Sequence, residues 1–367
     1  MKKSTNTDAS TAIDTGSYRG IRHHLAGEPA DVLAFETIGA IPEPGPEEVR
    51  VRVACVPIHP GDLHMIRGSA KGGNAPTIPP EGRVPGFEGA GTIEALGDRV
   101  DPALGLKVGD RVAFFPAQGC WSEQVTLAAE AVVKLPETMS FSLAAQMLIN
   151  TITAQVVLRA AGAAFPAAQE PRLFILTAAG SAVGRLITTL AHERGMQPLR
   201  LVRSRRGAEA LQKKLGGSPI FATDDPEWKA QLAKVINGHV VHVAIDAVAG
   251  SLLKEIASFV ANGGAIINYA SLSTELSDVQ WIAPHELTLR GVSIGVWGRL
   301  PAKIRANDQA TALRLAKLHR EQFDIAGIYA PHEIADAVRA VEKPGKEGTV
   351  MLVFDRSQSS DLRTLNL

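Results

Sequence analysis

The chain has 367 residues, 45 % of them apolar, with 38 Lys plus Arg set against 38 Asp plus Glu. That length allows two domains with buried cores, and the balanced charge excludes a global bias toward nucleic acid or an anionic membrane. No apolar run reaches the ~18 residues of a spanning helix. The two cysteines, Cys55 and Cys120, build neither a disulfide framework nor a four-cysteine zinc lobe. Residues 1–17 are rich in Ser, Thr and Asp and lack an apolar signal core, so a disordered tail on a cytoplasmic protein is expected.

From Tyr18 to about residue 155, strand and turn signals dominate. Residues 48–55 alternate apolar with charged side chains, the pattern of a half-buried strand. Residues 89–96 are similar, and 108–115 place a turn directly before a strand. Dense Gly and Pro suit a β-rich, barrel-like domain, and 142–161 reads as a helix. Beyond residue 172 strands are expected at 173–177, 199–203, 219–222, 241–246, 264–269 and 288–294. Helices fall between them at 182–194, 207–215, 226–236 and 250–261. This alternation predicts an α/β fold with a doubly wound parallel sheet. A helix over 308–323, a short helix over 333–341 and a closing strand over 348–354 complete the chain. The expected division is a tail (1–17), a β-rich domain (18–155, completed by 300–355) and a parallel-sheet domain (156–299).

Within the second domain, Leu173-Phe-Ile-Leu-Thr-Ala-Ala-Gly-Ser-Ala-Val-Gly184 joins an apolar strand to a helix through small residues. Small residues let the backbone approach a pyrophosphate, and a helix N-terminus supplies unpaired N–H groups and partial positive charge. The turn departs from a strict GxGxxG. The next strand ends in Arg203-Ser-Arg-Arg206, about where an NAD site places its ribose-binding acid, roughly 20 residues on. Arginines there favour the 2′-phosphate of NADP. The alternative is an ordinary βαβ crossover with a solvated basic tail.

Further motifs follow one another in a fixed order: Pro57-Ile-His-Pro-Gly-Asp-Leu-His-Met-Ile-Arg-Gly68, Val84-Pro-Gly-Phe-Glu-Gly-Ala-Gly91, Gly119-Cys-Trp-Ser-Glu123, Ile149-Asn-Thr-Ile-Thr-Ala154, the turn, and Leu289-Arg-Gly291. Over residues 18–354 this order resembles the medium-chain dehydrogenase/reductase superfamily in its zinc-free branch. The mitochondrial-type 2-enoyl-thioester reductases are the nearest match and the quinone oxidoreductases the next. The resemblance implies a GroES-like β-rich catalytic domain plus a Rossmann-type domain. It also implies NADPH-dependent reduction of an activated C=C bond, with hydride passing to the β-carbon. Enoyl thioesters of CoA or a carrier protein come first as substrates, with quinones, enals and enones as the alternative. A non-catalytic NADPH-binding protein is the rival of another class.

For the cofactor, the resemblance implies Asn150 and Thr153 beside the nicotinamide, and Ser181, Ala182, Val183 and Gly184 at the turn. Arg203, Ser204 and Arg205 stand where the enoyl reductases hold the 2′-phosphate. Tyr269, Ala270, Ser271, Val292, Ser293, Ile294 and Thr349 match further contacting positions. The stretch 289–297 is a candidate sheet edge for a homodimer. Arg299, Lys303 and Arg305 read either as a basic rim for substrate phosphates or as a solvated helix face.

Zinc-dependent relatives use a Cys, a His-Glu pair and a later Cys. Here those positions hold His59, then Phe87-Glu88, then the stretch Ala144-Ala-Gln-Met147, so no metal is expected. The tyrosine position of the enoyl reductases falls on Ala70. A proton donor then comes from His64, His59, Ser69, Lys71 or water. His64 is preferred, because imidazole donates near neutral pH. The alternative is a structural histidine. Asn150 is the second expected catalytic residue. Asp62 is expected to cap the helix turn that follows it, and His59 and Asp62 are assigned to the substrate pocket.

Overall fold

A computed structural model describes residues 16–68, 77–167, 170–343 and 345–355. Ser69, Ala70, Lys71 and residues 1–15 of the expected tail lie outside them. Ser17, placed in that tail by composition, already opens a strand. Packing divides the described residues into two units. One comprises residues up to 137 with those of 327–346 and 350–355, and the other comprises 138–326 with 347–349.

In the first unit β1 (Ser17–Arg22) pairs antiparallel with β2 (Ala34–Ala40), and α1 (Pro29–Val32) lies between them in sequence. The larger sheet is built around β3 (Glu48–Ile58). Val49, Val51 and Val53 of β3 are fully buried, while Arg52 points outward to pair with Glu94 at 2.9 Å and Asp355 at 2.6 Å. This is the expected alternation, but residues 54–58 are buried on both faces. The strand β3 is followed by α2 (Pro60–Ile66), β4 (Gly89–Leu96), β5 (Arg111–Phe114), β6 (Gln124–Ala128) and β7 (Val132–Lys134). Late in the chain β14 (Ile325–Tyr329), α10 (Ile334–Glu342) and β15 (Thr349–Val353) complete the unit. Among the described residues the sheet order is β14-β15-β3-β4-β5-β7, with β6 on β3. Gly86, two residues before Glu88, adopts φ +97°. A Cβ there would sit 2.3 Å from the Trp121 ring, so only glycine lets this loop cross the buried indole.

The second unit opens with α3 (Phe141–Ala144) and α4 (Met147–Ala164). The alternating elements follow: β8 (Arg172–Leu176), α5 (Ala182–Glu193), β9 (Met196–Val202), α6 (Arg205–Lys214), β10 (Ile220–Ala222), α7 (Trp228–Ile236), β11 (Val243–Asp246), α8 (Gly250–Ala257), β12 (Ala265–Asn268), β13 (Thr288–Gly291) and α9 (Ala302–Leu318). Their strands form one parallel sheet in the order β10-β9-β8-β11-β12-β13. The chain leaves β8 toward one edge and resumes at β11 toward the other, so a switch point falls between these two strands.

Several expectations are corrected. Residues 138–155 and 300–326 group with the parallel sheet, because α4 packs on α5 and α9. The single helix expected over 142–161 is two, broken at Ala145 and Gln146. By length and composition the stretch Phe141–Ala164 could cross a membrane, contrary to the expectation that no run would reach that length. In the fold 89 % of its most apolar window is buried, as in the core helix of a globular domain. The strand expected over 288–294 stops at Gly291, and a 3₁₀ helix (Ile294–Arg299) follows, capped where the Gly295 N–H donates to Ser293 Oγ. The helix expected from 308 begins six residues earlier, at Ala302.

Candidate active site

In the second unit β8 ends at Leu176, and after Thr177 the chain turns left-handed at Ala178, with φ +48°. Ser181 caps α5 by accepting the Gly184 N–H at 3.0 Å. The N–H groups of Ala182 and Val183 are left without intrahelical acceptors. A Cβ on Gly184 would lie 2.4 Å from the Ala178 carbonyl oxygen, so this glycine sets how closely turn and helix approach. Buried Arg185 donates to the Gly180 carbonyl at 2.8 Å and to the Gln322 carbonyl at 2.7 Å. It thereby holds a carbonyl that would otherwise compete with an anion for the turn.

Adjacent strand ends are tied together by Asp246, which the sequence reading missed. Its carboxylate is fully buried. It accepts from Thr177 Oγ1 at 2.7 Å, from the Val248 and Ala249 N–H groups at 3.0 and 2.9 Å, and from Asn268 Nδ2 at 2.8 Å. An acidic residue closing the apolar run of β11 was the available signal. The next residue after β12, Tyr269, encloses its hydroxyl beside Ser181 without completing a well-formed hydrogen bond among the described residues. Burial raises that phenol's pKa, and the Asp246 charge adds to the rise. Ala270 is half-buried and Ser271 exposed on the same loop. The N–H of Val292 donates to the Asn268 carbonyl at 2.8 Å, bringing half-buried Val292 and Ile294 and exposed Ser293 to the next strand end.

On the other side of β8, Arg203 follows β9. It is exposed and makes no ion pair among the described residues. Its neighbours are engaged. Ser204 Oγ caps α6 by accepting the Gly207 N–H, and Arg205 pairs with Asp225 at 3.4 Å. Of the three residues expected at the 2′-phosphate, Arg203 is therefore the one left unpaired.

The α4 residues are less open. Asn150 is buried, and its Nδ2 donates to the Gln146 carbonyl of its own helix at 3.3 Å. Thr153 is half-buried. Thr349 is buried, its N–H bound to the Asp324 carbonyl. Fully buried Asp308 clasps Arg159 through both carboxylate oxygens at 2.9 and 2.7 Å and accepts Trp297 Nε1–H at 2.9 Å. It thus ties α9 to α4 and to the 3₁₀ helix. Arg299 and Lys303 are exposed, whereas Arg305 donates to the Gly298 and Leu300 carbonyls.

The first unit carries its own cluster. His59 ends β3 and precedes α2, and its N–H donates to Asp62 Oδ2 at 2.8 Å. Its Nε2 meets Glu88 Oε1 at 2.7 Å. Glu88 is buried to 1 % exposure, whereas 16 % of the His59 side chain stays open. Cys120 Sγ–H donates to the Glu88 carbonyl at 3.1 Å. Burial opposes the His59 cation, but the Glu88 hydrogen bond and the charges of Glu88 and Asp62 outweigh it and raise the imidazole pKa. Burial also pushes the Asp62 carboxyl up to about 6, against the charge and N–H of His59. Asp62 thus caps backward, onto His59, from the third helical position. His64 is exposed on the opposite face of α2 from buried Leu63 and Ile66.

The donor set does not fit catalytic zinc, which needs three protein ligands and an open position. His59 and Glu88 are joined to each other, and Phe87 offers no lone pair. Among the described residues no three His, Cys, Asp or Glu side chains stand as a metal-binding group. A nicotinamide dinucleotide does fit the second unit, by the Gly184 approach, the open α5 N–H groups and the enclosed Tyr269 hydroxyl.

Residues 45–137 match the alcohol dehydrogenase GroES-like domain family, and residues 182–317 match the zinc-binding dehydrogenase family. The mitochondrial enoyl-[acyl-carrier-protein] reductase of Caenorhabditis elegans is 28 % identical over 281 residues, covering 74 % of this chain and 77 % of that protein. The human protein of the same name is 28 % identical over 286 residues, covering 75 % and 71 %. A Bacillus thuringiensis crystal structure provisionally named NADPH:quinone reductase superposes with a TM-score of 0.80 at 27 % identity, covering 92 % of this chain and 99 % of that one.

Proposed function

This chain belongs to the medium-chain dehydrogenase/reductase superfamily, and from that membership we propose that it is an NADPH-dependent reductase of activated carbon–carbon double bonds. A bound nicotinamide supplies a hydride to the β-carbon of the acceptor. The second unit binds and orients that group through the Ser181–Gly184 turn, with Tyr269 and Val292–Ile294 at the neighbouring strand ends. Arg203 carries the preference for NADPH. It is an exposed guanidinium with no counter-ion among the described residues, at the end of β9.

Enoyl thioesters are the first substrate class, supported by the names of the C. elegans and human relatives. Exposed Arg299 and Lys303 are the candidate contacts for CoA phosphates. Quinones are the second class, supported by the name of the B. thuringiensis neighbour. The reading includes a homodimer along β13, an edge strand whose residues are all exposed. It also includes a cytoplasmic location, consistent with two unpaired cysteines.

NADPH oxidation is measured with crotonyl-CoA, a short enal and a benzoquinone, with NADH as control. Arg203→Ser is expected to weaken NADPH binding by about tenfold or more, the worth of a charge-assisted phosphate contact, and to leave NADH unchanged. Equal loss with both cofactors refutes the role of Arg203. Turnover of quinone or enal alone moves the protein to the second class. Tight NADPH binding with no turnover makes it a binding protein.

A further inference from the structure

We propose that Arg185 is a positioning residue for the pyrophosphate of the dinucleotide, a buried charge set behind the turn and acting through the Gly180 peptide. The assignment rests on the reading above. Arg185 is the fourth residue of α5, and only 8 % of its side chain is open. The helix dipole favours an acidic residue in the first turn and disfavours a cation. The first turn of α5 has no acidic residue and carries this guanidinium instead. Nη1 donates to the Gly180 carbonyl and Nη2 to the Gln322 carbonyl. The Gly180–Ser181 peptide is thereby clamped at both ends, because the Ser181 N–H donates to the Ala178 carbonyl at 2.9 Å. Gln322 is anchored in turn, its Nε2 donating to Thr189 Oγ1 at 2.8 Å.

Two carbonyls satisfy hydrogen bonds without neutralising the charge. Among the described residues the carboxylate paired with Arg185 is Asp324, at 3.5 Å, and Lys214 shares it. Arg185 Nε is buried and meets no partner among the described residues. Burial lowers the pKa of the guanidinium, and the charges of Asp324 and Glu347 offset this only in part. A neutral amide could hold either carbonyl without the cost of burying a cation, so a purely structural tie does not account for an arginine here. The positive end of α5 and two basic side chains instead share one carboxylate. A pyrophosphate at the turn supplies the missing negative charge, and an enclosed cation is felt there with little screening.

Calorimetric titration with NADPH and with NADH, beside thermal unfolding of the free protein, tests this in three variants. Arg185→Gln should weaken both cofactors by the same factor, about tenfold or more, as expected for loss of a buried charge. Arg185→Lys keeps the charge but not the planar fork. It should melt lower than wild type and still bind both cofactors within about threefold. Asp324→Asn removes the competing carboxylate and should tighten both by about threefold, the worth of a part-exposed charge pair. A gain in affinity is something damage to the fold does not produce. Should Arg185→Gln not fold, Asp324→Asn decides. Equal losses in Arg185→Lys and Arg185→Gln, or unchanged or weaker binding in Asp324→Asn, overturn the assignment and leave the reductase reading standing. A wild type that binds neither cofactor overturns both.

Discussion

Gly184→Ala probes the cofactor turn most directly. The added Cβ would lie 2.4 Å from the Ala178 oxygen and 2.8 Å from the Ala179 Cα, where real Cβ atoms keep at least 3.0 Å. Both neighbours are backbone, so no flexible side chain can move aside. The turn must retreat from the helix by about 0.6 Å, the kind of shift that overpacking forces at about 1–3 kcal/mol. A domain of this size should then melt about 3–10 °C lower. Displacement on that scale also misaligns the Ala182 and Val183 N–H groups, so NADPH should bind about 10- to 100-fold more weakly. The control is Gly180→Ala, where a Cβ meets nothing nearer than Val202 Cγ1 at 3.7 Å. Calorimetric titration with NADPH and thermal unfolding of both variants decide the matter. Wild-type affinity and melting in Gly184→Ala, or equal damage in Gly180→Ala, would refute the reasoning.

Two further perturbations follow from buried charges. Asp62 titrates at about 6 in the folded protein against 3.8 for the free side chain, so the folded state holds the extra proton between these values. Stability should therefore fall as pH rises from about 4 to 6, by up to about 3 kcal/mol. Asp62→Asn should lose that decline in urea unfolding, and parallel curves for the two proteins would count against it. His59 acts in the same sense in a higher pH window, stabilising at low pH and losing that contribution as pH rises through its raised pKa. Asp308→Ala removes the carboxylate that Arg159 and Trp297 Nε1 both bind and, with a third of the Arg159 side chain open to water, should cost about 2–3 kcal/mol. Trp297→Phe, which removes one hydrogen bond, should cost about 1 kcal/mol. Asp308→Ala within 1 kcal/mol of wild type would contradict the clasp.

The alternating half of the fold was legible because its strands are short apolar runs separated by amphipathic helices. The Ser181 cap and the Gly184 approach could be placed from one strand-turn-helix segment. Side-chain partners were less accessible. His59 and Glu88 are 29 positions apart, and only the pairing of β3 with β4 brings their flanking loops together. His64 could have been read as outward, since Leu63 and Ile66 claim the inner face of a two-turn helix. Residues 292–294 look like a continuing strand because Val and Ile favour one. The serine between them instead caps a 3₁₀ turn, a local hydrogen bond that outcompetes the ladder.

Asp246 also bears on how the second unit breathes. One carboxylate holds the end of β8, the loop after β11 and the end of β12, so none of the three can loosen alone without stranding a buried charge. Local opening there should be cooperative, and slow amide exchange at Ala247, Val248 and Ala249 should be lost together. The β9–β10 margin beyond Arg203 lies outside this clasp and can fray independently. Under the proposed function, the strand ends assigned to the nicotinamide would open as a single foldon, while the margin assigned to the 2′-phosphate would adjust separately to the nucleotide that arrives.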